Sequence, residues 1–175
     1  MASGIERRRF ALIVGAVVAL DLVTKLIAVR ALPPYLGVPL MGNAFQLRLV
    51  YNSGAAFGLN VGDHSRWVFM GLSVAAILVL ISMLRSTRPG DWLRLYALAA
   101  ICAGALGNLI DRVRSARGVV DFLDVGVGAL RWPTFNVADM AVTCGAFALA
   151  LSLWGEGKKG AAPATSPEAS PPPGA

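Results

Sequence analysis

Residues 67–84, WVFMGLSVAAILVLISML, contain no charged side chain. Wound as an α-helix at about 1.5 Å per residue, they reach about 27 Å, most of the roughly 30 Å hydrocarbon core of a bilayer. A chain carrying such a run must hide it in a large core or give it to lipid. With 175 residues, 56% hydrophobic and 15% charged, the polar shell of a buried core is missing. The mean hydropathy of +0.63 points the same way. This is the pattern of a membrane protein.

Three further apolar runs share that length. The expected spans are residues 10–32, 67–85, 92–110 and 133–154, so the fold class is an all-α membrane protein with four transmembrane helices. Pro33 and Pro34 stop the first span, and Pro133 suits the first turn of the fourth. Arg7, Arg8 and Arg9 before an apolar run resemble a cleaved signal peptide, but the run continues to residue 32 and VRALPPYLG offers no small-x-small cleavage site. One domain over residues 1–157 is expected. Residues 158–175, rich in Pro, Ala, Gly and Ser, read as a disordered tail without a core.

Four spans put both termini on one side. The arginine triplet, the turn with Arg85, Arg88 and Arg94, and the pair Lys158 and Lys159 all fall on that side, which is therefore assigned to the cytoplasm. The segment 33–66 is then extracytoplasmic. Within it FQLRLVYN alternates apolar and polar side chains over residues 45–51, as a half-buried strand does, and NSGAAFG follows with Gly54 and Gly58 for tight turns. A small sheet or loop region between the first two helices is expected. The net charge of +6 is scattered between apolar runs, which fits topology signals and anionic lipid neighbours rather than nucleic acid.

Cys102 and Cys144 lie in apolar helical runs and are expected to be small buried hydrophobes. His64, the single histidine, is expected to be solvated in a loop, and no HExxH or paired-histidine zinc pattern exists. No nucleotide, metal or organic cofactor is implied. A Ser/Lys dyad would need Lys25, which already has Asp21 as a neighbour.

The polar residues within or beside the spans carry the chemistry. Asp21 and Lys25 stand at i, i+4 on the first helix with the acid first, the favourable order for an ion pair. Asn108, Asp111 and Arg112 close the third helix in GNLIDR, with Arg112 the expected counter-ion of Asp111. Asp121 and Asp124 follow in VVDFLD. Asn136 and Asp139 lie at i, i+3 in FNVAD, expected on one face of the fourth helix. An ionised Asp at the bilayer centre costs roughly 3 kcal/mol on insertion scales, so such residues face protein or water and act there. Two carboxylates held close share one proton: the ionised member draws a proton from water while the other polarises an amide. Spacing leaves Asp121 with Asp139 and Asp111 with Asp139 both open. Capping or interhelical hydrogen bonding is the alternative for each carboxylate, and a non-enzymatic transport or assembly protein is the alternative for the chain.

DLVTK (residues 21–25), YNSGAAFG (51–58), GALGNLIDR (104–112), GVVDFLD (118–124) and FNVAD (135–139), in this order over roughly residues 10–154, resemble lipoprotein signal peptidase, or signal peptidase II. The resemblance implies a bacterial inner-membrane aspartic endopeptidase, with its active site near the extracytoplasmic face. Such an enzyme removes signal peptides from diacylglyceryl-modified prolipoproteins, before the lipidated cysteine. It implies Asp121 and Asp139 as the catalytic dyad. Asn52, Gly54, Asn108, Arg112 and Asn136 match positions that hold substrate or shape the site, and Asp21, Lys25 and Asp111 match supporting positions. A monomer is expected, and the tail is expected to be dispensable.

Overall fold

The computed structural model describes residues 3–54 and 62–160. Among the described residues, four helices are long and apolar enough to cross a membrane: α1 (Gly4–Ala31), α2 (Ser65–Ser86), α3 (Trp92–Arg114) and α4 (Val137–Gly160). Helix α1 starts before residue 10 because Ser3 and Glu6 form a reciprocal cap. The Ser3 hydroxyl accepts from the Glu6 N–H at 3.3 Å, and the Glu6 carboxylate accepts from the Ser3 N–H at 2.6 Å. This satisfies donors that a helix start leaves unpaired, and the arginine triplet becomes helical instead of preceding the helix. Gly58 and residues 161–175 lie outside the described residues.

Helix α3 is the hub, packing against α1, α2 and α4. Asp91 caps it, accepting from the Arg94 N–H at 3.1 Å. It runs past residue 110 to Arg114, so Asp111 and Arg112 are helical. Arg66 meets its last carbonyls, donating to Arg112 O at 2.7 Å and Val113 O at 3.2 Å. Leu95, Ala97, Leu98, Ala99, Cys102 and Ala103 are buried along it. Small residues let backbones approach, as in other membrane bundles. A Cβ on Gly104 would stand 2.6 Å from Val142 Cγ2, and one on Gly107 would stand 2.6 Å from Asp21 Oδ2.

At one end of the bundle sits an antiparallel sheet in the order β1-β2-β3-β4: β1 (Gly37–Met41), β2 (Phe45–Asn52), β3 (Val119–Val127) and β4 (Leu130–Arg131). The strand expected at residues 45–51 is β2, which runs one residue further, to Asn52. The sheet is not confined to the segment between the first two helices, however: β3, which carries Asp121 and Asp124, comes from between α3 and α4. Its register sets Asp121 opposite Val50 and Val119 opposite Asn52. Residues 133–136 are not helical, because Phe135 pairs with β3. Its N–H donates to Leu123 O at 3.0 Å, and its carbonyl accepts from Leu123 N at 2.8 Å and Phe122 N at 3.0 Å. Helix α4 therefore starts at Val137 rather than Pro133.

The opposite end is tied more sparsely. Glu6 accepts from the Gly90 N–H at 2.7 Å, and Arg94 pairs with Glu156 at 3.2 Å, joining the start of α1, the α2–α3 turn and the end of α4.

Candidate active site

Where α4 begins, a local sequence rule places a carboxylate. Asn136 is the cap residue, its backbone carbonyl accepting from Met140 N at 3.2 Å. Its side-chain Oδ1 accepts from Asp139 N at 2.9 Å, and Asp139 Oδ2 accepts from Asn136 N at 3.1 Å. This reciprocal pair satisfies two orphan N–H groups and fixes the Asp139 side chain at the helix mouth. Asn136 thus stands just before α4 rather than on its face, and capping is one of the tasks of Asp139.

The other Asp139 oxygen, Oδ1, accepts from Asn108 Nδ2 of α3 at 2.8 Å. Asp121 arrives on β3 and is buried. Its Oδ1 accepts from Asn136 Nδ2 at 2.7 Å and its Oδ2 from Asn52 Nδ2 at 3.1 Å. Asn136 therefore touches both carboxylates, one through its side chain and one through its backbone. Asn52 is itself oriented, since its Oδ1 accepts from the Gly54 N–H at 3.0 Å and leaves Nδ2 to face Asp121. Burial, followed by the negative charge of Asp139, raises the Asp121 carboxyl from its ordinary 3.8 to about 7; Asn52, Asn136 and Lys25 pull the other way.

Asp121 and Asp139 line one cavity of about 780 Å³, together with Asn52, Gly54, Asn108 and Arg112. Apolar walls come from Val50, Val119, Trp132, Phe135 and Met140. Arg112 is held by donating to Gly54 O at 3.0 Å and Asn108 O at 3.3 Å, with its guanidinium 5.6 Å from the Phe69 ring centre. Asp111, expected beside Arg112, instead pairs with Lys25 at 2.8 Å. Asp21 pairs with the same ammonium at 2.8 Å, as its i+4 spacing predicts. Spacing could not reveal the third contact, Lys25 Nζ to Asn108 Oδ1 at 3.0 Å, because its partners are 83 residues apart.

Asp124 does not join this group. It is buried on β3 and pairs with Arg131 at 2.9 Å, while Arg131 also donates to Asn43 O, strapping the two hairpins together. The alternation around Arg131 was too short to mark β4. Cys102 is buried as expected, but Cys144 is exposed and lines the cavity, because α4 turns that face away from α3. His64 is exposed, as expected of a solvated loop residue.

This arrangement is similar to known proteins over most of the chain. The family described as Peptidase_A8, Signal peptidase (SPase) II, matches residues 13–155. The lipoprotein signal peptidase of Oleidesulfovibrio alaskensis is 42% identical over 146 residues, covering 82% of this chain and 92% of that one. That of Syntrophotalea carbinolica is 41% identical over 147 residues, covering 83% and 91%. A bacterial membrane enzyme solved by the in meso method superposes with a TM-score of 0.79 at 26% identity, covering 90% of this chain and 94% of its own. Matched by that family over residues 13–155 and by such relatives over most of its length, the chain belongs to the signal peptidase II family.

Proposed function

We propose that the protein is an aspartic endopeptidase of the bacterial inner membrane. It cleaves the signal peptide from diacylglyceryl-modified prolipoproteins, immediately before the lipidated cysteine. One observation carries this reading: Asp121 and Asp139, on separate elements, are bridged by Asn136 and open into the same cavity.

In the proposed reaction Asp139 takes a proton from water, and the oxygen attacks the carbonyl carbon of the residue before the cysteine. Asp121 donates its proton to the carbonyl oxygen, forming a neutral tetrahedral gem-diol. Collapse breaks the C–N bond, the cysteine nitrogen takes the proton gained by Asp139, and a gem-diol proton returns to Asp121. Asn52 and Asn136 hold Asp121, and Asn108 with the Asn136 backbone holds Asp139, so neither carboxylate has to be reoriented. Apolar walls restrict water to the reacting position. Arg112 and Gly54 are assigned to the substrate backbone, while Asp21, Lys25 and Asp111 support the site.

The sheet end is assigned to the extracytoplasmic face and both termini to the cytoplasm. In support, Arg7, Arg8, Arg9, Arg85, Arg88 and Arg94 cluster towards the opposite end, where anionic lipid headgroups are their natural neighbours. An apolar signal helix can then lie beside α4 with its lipid anchor in the outer leaflet. The protein acts as a monomer, without a cofactor, and residues 158–175 are dispensable.

The test is a gel-shift cleavage assay with a purified diacylglyceryl-modified precursor. Wild type should release the signal peptide, while Asp139→Asn and Asp121→Asn, still folded in detergent, should lose about 1,000-fold or more in rate. Full turnover by either variant would remove that carboxylate from the mechanism. A wild type inert towards the precursor would favour a non-enzymatic role.

A further inference from the structure

The charged cluster beside the dyad is bound to it at three points. Asp21 Oδ1 accepts from Ala138 N at 2.9 Å, one residue before Asp139. Asp111 Oδ2 accepts from Val120 N at 3.2 Å, one residue before Asp121. Lys25 forms ion pairs with both carboxylates, each at 2.8 Å, and donates a hydrogen bond to Asn108 Oδ1 at 3.0 Å. Its side chain is buried, at 3% exposed.

The third contact decides which way the Asn108 amide points. Its Oδ1 faces two groups that can only donate there, Lys25 Nζ and Asn136 Nδ2 at 3.2 Å. Only the oxygen can occupy that position, so Nδ2 turns to Asp139 Oδ1. Asn136 Nδ2 is a weak guarantor of this orientation by itself, because its two hydrogens also serve Val120 O and Asp121 Oδ1. Without Lys25, a flipped Asn108 would set its oxygen against the Asp139 carboxylate.

Building on the proposed peptidase reading, we propose that Lys25 is a positioning residue for the dyad. Its hydrogen bond fixes the Asn108 amide towards Asp139, and its ion pairs with Asp21 and Asp111 hold the backbone anchors beside Asp121 and Asp139 in one register. Lys25 touches neither the substrate nor the reacting carboxyl oxygens; it acts through Asn108, Asp21 and Asp111. The charged groups around it are Asp21 on its own helix, Asp111 and Arg112 on α3, Asp121 on β3 and Asp139 on α4.

Replacing Lys25 alone leaves two carboxylates buried without a counter-ion, which endangers folding. The informative variants are therefore the double replacements Asp21→Asn with Lys25→Met, and Asp111→Asn with Lys25→Met. Each keeps the net charge of the cluster and an acceptor for the backbone N–H, yet removes the Asn108 contact. Cleavage of the diacylglyceryl-modified precursor is measured alongside wild type and Asp139→Asn, with rates divided by the folded fraction from detergent gel filtration. Both doubles should show kcat about 10-fold or more below wild type, with KM within about twofold. In any folded fraction of Lys25→Met, loss of the positive charge should also move the alkaline limb of the pH profile upward.

Doubles that keep wild-type kcat per folded molecule, with an unmoved limb in Lys25→Met, would reduce Lys25 to a structural role. In that case Asp139→Asn remains inactive and the peptidase reading stands. An inert wild type would instead overturn that reading and this inference together.

Discussion

The two ends of the bundle use the same residue types to opposite effect. At the sheet end, Lys25, Asp21 and Asp111 form a buried ion-paired cluster tied to Asn108, and Asp121 and Asp139 lie close to it. At the other end, Arg94 and Glu156 form an isolated pair with the Glu156 side chain 40% exposed. A partly exposed pair of that kind contributes at most about 1 kcal/mol, whereas breaking a buried one leaves an uncompensated charge costing about 3–5 kcal/mol. The difference shows what charge is for in each place. The Arg94–Glu156 pair leaves charge partly open to solvent, whereas the Lys25 cluster holds it buried, where fields and proton affinities are strongest.

Asn136→Ala should sharpen this contrast most among single replacements outside the dyad. It removes the cap of α4 and the donor to Asp121 together, so cleavage should fall about 100-fold while the four-helix bundle remains assembled. Cleavage kinetics with circular dichroism in detergent check both parts, and activity within twofold of wild type would contradict the assigned role.

A smaller effect follows from pH. The folded Asp121 carboxyl is raised to about 7, so it holds its proton below that value and loses it as the pH climbs through it. If that proton is donated to the scissile carbonyl, kcat/KM should fall about tenfold for each pH unit above the transition. A profile flat between about pH 6 and about pH 9 would separate the buried carboxyl from the reaction.

The smallest effect belongs to the far end. Glu156→Gln should change stability by about 0.5 kcal/mol or less and leave cleavage unaltered. A loss of activity there would show that the two ends are coupled, which the sparse ties between them do not suggest.

Much of this plan was legible in the sequence, because hydrocarbon thickness makes transmembrane helices conspicuous. The strand at residues 45–51 is legible from alternation. By contrast, β3 was hidden: VVDFLDVGV is buried on both faces in places and gives no clean period of two, so its acids stood out and its backbone did not. The start of α4 was misplaced for a related reason, since Pro133 fits a first turn but Phe135 is captured by β3. Within the site, local pairs were readable. Asp21 with Lys25 is one; the i, i+3 spacing of Asn136 and Asp139 reads as a shared helix face, although the pair is a helix cap. Contacts between distant segments, such as Lys25 with Asn108 or Asp111, exist only once α1 and α3 are packed, which is why Arg112 was wrongly assigned as the partner of Asp111.

Whether Asp121 holds a proton near neutral pH is open to direct measurement by difference infrared spectroscopy of the purified protein, titrated from about pH 5 to about pH 9 with Asp121→Asn as the reference. A protonated carboxyl band should disappear with a midpoint near 7 in wild type and be missing from Asp121→Asn. A midpoint near the ordinary aspartate value of about 4, or a band untouched by the replacement, would contradict a proton held at Asp121.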